Sequence, residues 1–223
     1  MVKDYRNVIS SETASLLLNI EAMTFRFDSP YVYTSGMKSP VYLDCRLVMS
    51  YPKVRTRIAN FYERVIKKEI GLKNIDWISG TATAAITYAT WVAEKLNLPM
   101  VYVRPTSKKY GKGGKVEGFL KKGGKVLIIE DLVTTASSAI NNALTIRELG
   151  SKVKYAVAVI TYETKTSKDL LEKNKIKLLP LTTARNVIEI AFKKGYLNRK
   201  QKESVDLWMD NPWGWAKKMG FEK

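Results

Sequence analysis

The chain has 223 residues, 45% of them hydrophobic, and carries 38 Lys plus Arg against 21 Asp plus Glu for a formal net charge of +17. That length and apolar content suit one domain, or one domain with a small appendage, around a sizeable core. With no His and a single Cys45, His-based triads, the usual zinc sites and an intramolecular disulfide are excluded; catalysis must run on carboxylates, hydroxyls, lysines, backbone amides or a carboxylate-held metal. The positive charge favours anionic partners, either phosphorylated metabolites or nucleic acid, although lysines that merely solvate the surface would give the same total. No helix-turn-helix addition or RNA-binding signature accompanies it. No run approaches the roughly 18 apolar residues of a membrane span, and "MVKDYRNVIS" lacks the apolar core of a secretory signal, so a cytoplasmic location is the expectation.

In chain order, Leu16, Leu17, Ile20 and Met23 recur at helical spacing behind Ser10 and Ser11, which predicts a first helix at about 11–23. The aromatic stretch "FRFDSPYVYTSGMKSPVYLD" reads as a hairpin turning at "SGMKSP". Pro52 and Gly71 bracket a second helix whose inner face carries Val54, Ile58, Phe61, Val65 and Ile66. Then "DWISG" (strand), "TAAITYATWVAEKL" (helix), "MVYVR" and "KVLIIE" (strands), "SSAINNALTIREL" (helix), "KVKYAVAVI" and "IKLLPL" (strands) follow. Short β-branched runs between helices argue for parallel strands with crossover helices, an α/β sheet. The tail supplies three further helices, "TARNVIEIAFKKGYL", "NRKQKESVDLWM" and "NPWGWAKKMG", expected on one edge of the sheet. The resulting division is an N-terminal segment at about 1–50, a core at 51–182 and C-terminal helices at 183–223, all one domain.

The stretch "VLIIEDLVTTASSAI" stands out. In an open α/β sheet ligands bind at the carboxyl ends of strands, and Glu130 and Asp131 fall at such an end. The "TTASS" that follows opens a helix, so backbone N–H groups and the hydroxyls of Thr134, Thr135, Ser137 and Ser138 can converge on an anion. Two acids beside a phosphate cradle need another task. A ribose diol offers two hydroxyl donors for them, and a carboxylate can also orient hydrated Mg²⁺. The plainer alternative is that Asp131 or a threonine only caps the helix.

The whole run resembles the phosphoribosyl pyrophosphate motif of type I phosphoribosyltransferases. The chain as a whole is similar to the orotate phosphoribosyltransferase family: "YTSGMKSPVYLDCR" resembles its N-terminal substrate segment, "VRPTSKKYGKGGKVEG" its mobile catalytic loop, and "NPWGWAKKMG" its C-terminal end. The resemblance implies the type I fold, a central, mostly parallel sheet flanked by helices with a small N-terminal hood. It implies Mg²⁺-dependent transfer of 5-phosphoribosyl from phosphoribosyl pyrophosphate to orotate, by way of an oxocarbenium-like transition state. It places Arg104, Lys108 and Asp131 in catalysis. Phosphoribosyl pyrophosphate would be held by Arg104, Lys108, Tyr110 and the run Glu130, Asp131, Leu132, Val133, Thr134, Thr135, Ala136, Ser137 and Ser138. Thr134, Tyr162, Tyr42, Leu43 and Lys38 would meet the base, and Asp131 the metal indirectly, through substrate and water. It also implies a homodimer with shared active sites, in which the loop of one protomer reaches its neighbour. From Arg104 to Lys125 that loop carries seven lysines against one acid, Glu117, which suits a leaving pyrophosphate.

Departures from the family pattern cluster on the substrate side. Pro105 stands where a second loop lysine is expected, Tyr110 for the loop histidine and Thr34 for a lysine before "SG". Thr161 and Tyr162 replace the Asp and the arginine that grips the orotate carboxylate. Tyr cannot supply the charge-assisted, often bidentate bonds of a guanidinium. Ala136 stands where many relatives carry Gly, which strains the backbone if φ is positive there. Three readings follow: an orotate enzyme in which Lys38 or Lys165 meets the carboxylate, a phosphoribosyltransferase for another base, or a non-catalytic relative that binds nucleotide or nucleic acid.

Overall fold

A computed structural model describes residues 2–105 and 114–222. The backbone divides into two units, Met1–Ser50 with Thr182–Lys223, and Tyr51–Leu181.

The first unit begins with α1, Val2–Asn19, well ahead of the predicted start. Tyr5 and Ile9 are buried like Leu17 and Leu18, so the apolar stripe begins a full two turns earlier and carries the helix with it. Ser10, expected as a cap, is therefore mid-helix, where its hydroxyl bonds Thr182 Oγ1 and accepts from Asn186 Nδ2, both at 3.0 Å. Met23 opens a strand rather than closing the helix: β1, Met23–Phe25, pairs antiparallel with β4, Val41–Leu43. Between them lies the expected hairpin, β2 (Tyr31–Val32) and β3 (Lys38–Ser39), with Gly36 supplying the positive φ of the turn.

In the second unit, α2 (Pro52–Val65) starts on its proline and buries Val54, Ile58, Phe61, Tyr62 and Val65. It widens into one π turn at Ile66–Ile70 and stops at Gly71, φ 79°. Next come β5 (Trp77–Thr81), α3 (Ala85–Leu96), β6 (Met100–Val103), β7 (Val116–Glu117), β8 (Lys125–Val133), α4 (Ser137–Glu148), β9 (Lys152–Thr161), α5 (Lys165–Lys173) and β10 (Lys177–Thr183). The sheet order is β10-β9-β8-β5-β6-β7. The β5–β6, β5–β8 and β8–β9 pairs are parallel, and the short β7 pairs antiparallel with β6. β8 is thus interior, paired on both sides, and Val126 to Ile129 are buried without alternation, as a parallel strand covered on both faces requires. Ala139, Ala143 and Ile146 of α4 close over Val126, Ile128 and Ala156 in one apolar cluster.

The chain then returns to the first unit with α6 (Ala184–Lys193), α7 (Arg199–Asp210) and α8 (Pro212–Lys218). Asn198 and Gln201 form a capping box at the start of α7. Asn211 caps α8 through Gly214 N at 3.0 Å, as its Asn-Pro signal predicts. No described helix is long and apolar enough to cross a membrane.

Candidate active site

β8 outlasts its apolar run. Its parallel pairing with β9 continues through Leu132↔Ile160 and Val133↔Thr161, so Glu130 and Asp131 sit within the strand's last turn of register rather than after it. Side chains alternate there: Glu130 is 4% exposed and Asp131 half-buried. The Tyr62 hydroxyl donates to the Glu130 carbonyl at 2.5 Å, which fixes the backbone between the two acids. Burial pushes the Glu130 carboxyl up to about 8, against a hydrogen bond from Thr81 and with the Asp131 charge adding to the rise. Its Oε1 is buried without a hydrogen-bond partner among the described residues.

The chain turns from strand to helix at Ala136, φ 66° and ψ 3°. This is the left-handed region, which costs an alanine roughly 1 kcal/mol or more. The turn leaves Thr134, Thr135, Ser137 and Ser138 exposed around the N-terminus of α4, where Ala136 stands at the N-cap position with no side-chain cap of its own. A threonine does reach that end, as the plainer alternative expects: Ser137 N–H donates to Thr135 Oγ1 at 3.4 Å, and Thr135 Oγ1 and Ser137 Oγ lie 2.9 Å apart. The N–H groups of a helix's first turn are donors suited to a ligand or water. A small depression runs from Glu130 along Leu132 to Ala139. The loop is tied to the end of β9: Tyr162 N donates to Val133 O at 2.9 Å, and Thr164 Oγ1 donates to Thr134 O at 2.6 Å.

Arg104 follows β6 at the mouth of the lysine-rich loop. Its N–H donates to Lys115 O at 2.9 Å and Nη2 to Gly114 O at 3.1 Å. Nε stands 3.2 Å from Glu117 Oε1, an ion pair rather than a hydrogen bond. Lys108 and Tyr110 lie outside the described residues. On the base side, Tyr162 and Thr134 belong to the second unit, and Lys38, Tyr42 and Leu43 to the first. There the Lys38 ammonium donates to Phe221 O at 2.6 Å and lies 3.9 Å from Glu222. Tyr42 packs on Tyr31 with ring centroids 5.3 Å apart, while Leu43 is buried.

No protein-family model matches the chain. Over 209 residues it is 40% identical to orotate phosphoribosyltransferase of Listeria monocytogenes serotype 4b (strain F2365), covering 94% of this chain and 99% of that protein. The chain belongs to the orotate phosphoribosyltransferase family. Among solved structures, orotate phosphoribosyltransferase from Aeropyrum pernix superposes with TM-score 0.71 at 25% identity, over 83% of this chain and 99% of that one. UMP synthase of Leishmania donovani superposes with TM-score 0.74 at 24% identity; 90% of this chain is covered, and it spans 42% of that longer one. The fold is that of the type I phosphoribosyltransferases, as the strand-acid-hydroxyl run predicts.

In this member of the orotate phosphoribosyltransferase family, two residues beside the acids carry no strong signal in the sequence. Tyr62 sits among apolar neighbours on the buried face of α2, where its hydroxyl was the only sign of a polar partner. Thr81 ends β5, directly beside the end of β8. A threonine closing an interior strand next to an acid-ending strand was the available signal.

Proposed function

We propose that the protein transfers 5-phosphoribosyl from phosphoribosyl pyrophosphate to orotate, releasing pyrophosphate and giving orotidine 5'-phosphate. The observation that carries the roles is the passage of one interior strand, bearing Glu130 and Asp131, straight into a helix N-terminus ringed by four hydroxyls. The loop amides and the hydroxyls of Thr134, Thr135, Ser137 and Ser138 hold the 5-phosphate. Glu130 and Asp131 accept from the ribose hydroxyls. The bond from ribose C1 to the diphosphate oxygen breaks as a base nitrogen bonds to C1. Arg104 and Lys108 stabilise the charge that grows on the departing pyrophosphate, which requires Arg104 to leave Glu117.

The donor set fits magnesium only by way of the substrate. The described residues hold no group of three His, Cys, Asp or Glu side chains, and Asp131 is one hard oxygen donor. A bound Mg²⁺ would take diphosphate oxygens, with Asp131 reached through water, and would neutralise the leaving group. The reading includes a homodimer in which the loop of one protomer serves the site of the other.

Tyr162 and Thr34 favour a second reading, a base without a carboxylate. Purified protein with Mg²⁺, phosphoribosyl pyrophosphate and each of a panel of pyrimidine and purine bases, resolved by chromatography, separates the two. Orotidine 5'-phosphate is the expected product. Turnover of a purine but not of orotate would overturn the first reading, and no turnover of any base would overturn both.

A further inference from the structure

The strongest polar feature that the reaction chemistry does not already use lies beneath the acids. Asn142 is 0% exposed, in the middle of α4 on the face that also buries Ala139, Ala143 and Ile146. An asparagine there breaks the apolar pattern and disfavours the helix slightly. It is fully engaged: the Ser79 hydroxyl donates to Asn142 Oδ1 at 2.8 Å, and Asn142 Nδ2 donates to Thr81 Oγ1 at 2.9 Å. Ser79 is 0% and Thr81 8% exposed. Because Thr81 Oγ1 accepts from Asn142, its own proton is free to point elsewhere, and the parallel register that pairs Gly80 with Ile129 brings the next residues, buried Thr81 and buried Glu130, side by side, in reach of the hydrogen bond that lowers the Glu130 carboxyl against its burial.

Four side chains on three elements thus form one chain of donors, Ser79 to Asn142 to Thr81 to Glu130, with every proton pointing the same way. Its last bond engages Glu130 and leaves Oε1 buried and without a hydrogen-bond partner among the described residues. Buried chains of this kind are strong because each bond polarises the next, and an unmet acceptor at the end is costly until something donates to it.

We infer that Asn142 is a positioning residue for this reaction: with Ser79 and Thr81 it orients the Glu130 carboxyl so that its second oxygen is turned to a ribose hydroxyl. The inference rests on the ribose role given to Glu130 above. It also gives α4 a second link to the substrate, since the helix that presents its N-terminus to the phosphate sets the acid for the sugar from its interior.

The test measures phosphoribosyl pyrophosphate binding by calorimetry, steady-state KM and kcat, and thermal stability for Glu130→Gln, Thr81→Val, Thr81→Ser, Asn142→Leu and the double variant Thr81→Val with Asn142→Leu. Thr81→Val and Asn142→Leu are expected to weaken substrate binding about tenfold and to raise its KM more than they lower kcat. Thr81→Ser, which keeps the hydroxyl, should stay within about twofold of the parent, and the double variant should bind no worse than Thr81→Val alone, as members of one chain do. Changes in stability alone with binding unmoved, or additive losses in the double variant, would overturn the inference. If Asn142→Leu does not fold, Ser79→Ala, which removes only the first donor, decides in its place: a weakened affinity supports the chain and an unchanged one refutes it. Glu130→Gln separates the two layers. Should it bind like the parent, the ribose role itself fails; should it alone lose affinity, the ribose role stands and the positioning chain falls.

Discussion

The regions proposed above for the phosphate and for the base are built by different means. Glu130, Asp131 and the hydroxyl loop hang on an interior strand paired on both edges by β5 and β9. Their backbone is pinned by Tyr62, and a buried donor chain runs into the carboxyl. The segment bearing Lys38, Tyr42 and Leu43 hangs on strands of two and three residues, and its one cation is engaged by the carbonyl of Phe221. The first arrangement leaves few ways to place its groups, because moving them would unpair a central strand. The second can change residues at little cost to the fold, and it holds Thr34, one departure from the family pattern, while Tyr162, another, follows β9 in the second unit. On the proposed roles, a rigid half holds what every phosphoribosyl transfer shares, and an adaptable half, the hairpin segment together with Tyr162, holds what differs between bases.

The sharpest way to break that contrast is to remove the charge proposed to act on the leaving group. Lys108→Ala should lower kcat by about a hundredfold or more while changing phosphoribosyl pyrophosphate affinity by only a few-fold, because the lysine's work falls in the transition state. Equal losses in single-turnover rate and in binding would make Lys108 a ground-state contact instead.

Tyr162→Arg tests the adaptable half. Restoring a guanidinium where the family pattern places one should lower KM for orotate by roughly tenfold through charge-assisted pairing with the carboxylate. Phosphoribosyl pyrophosphate binding should not move. An unchanged or raised KM for orotate would mean that the base meets its cation elsewhere, or that the carboxylate is not what this half reads.

Protonation of Glu130 probes the rigid half with a smaller effect. Its folded pKa, about 8, is raised above the ordinary 4.5 by burial. A raised folded pKa contributes stability that is complete below 4.5 and is lost as pH rises through 8. The midpoint of urea unfolding should therefore fall between pH 5 and pH 9, and Glu130→Gln should flatten that slope. Ribose hydroxyls donate to the carboxylate form, so substrate binding at neutral pH should release close to one proton. Calorimetry in buffers of different ionisation enthalpy reads that proton directly, and a zero release with an unflattened slope would assign the buried carboxyl no part in binding.

The sequence exposed the rigid half well because its signals are local. An apolar run, two acids, hydroxyls and a new apolar face occupy consecutive positions, and the order of β and α elements follows from periodicity. Tyr62, Ser79, Thr81 and Asn142 escaped because the partners they bond lie far away in the chain, 68, 63 and 61 positions for the Tyr62–Glu130, Ser79–Asn142 and Asn142–Thr81 bonds; each looked like a tolerated polar residue in an apolar stripe. The start of α1 was misplaced for a related reason: Ser10 has the composition of a cap, and only its contacts with Thr182 and Asn186 make it an interior residue. α5 was passed over because its charged sequence, "KTSKDLLEK", buries only Ser167 and Leu171 and is started by a Thr164 cap rather than by an apolar pattern.

Ala136 carries the mildest of these expectations, and the most informative about how the rigid half is maintained. At φ 66° an alanine is strained by contact of its Cβ with the neighbouring carbonyl, at roughly 1 to 2 kcal/mol, while a glycine is not. Against that, glycine gives the unfolded chain more conformations, which costs about 0.4 to 1 kcal/mol. The first effect is the larger, so Ala136→Gly should stabilise the protein by somewhat under about 1 kcal/mol, a rise in melting temperature of roughly 2 °C for a chain of this size. Alanine's methyl is buried here, 5% exposed and part of the apolar cluster beneath the loop, and losing that contact trims the gain further. A clear destabilisation on melting would show that this packing outweighs the backbone strain, and that the methyl holds the hydroxyl loop in place where relatives rely on the freedom of glycine.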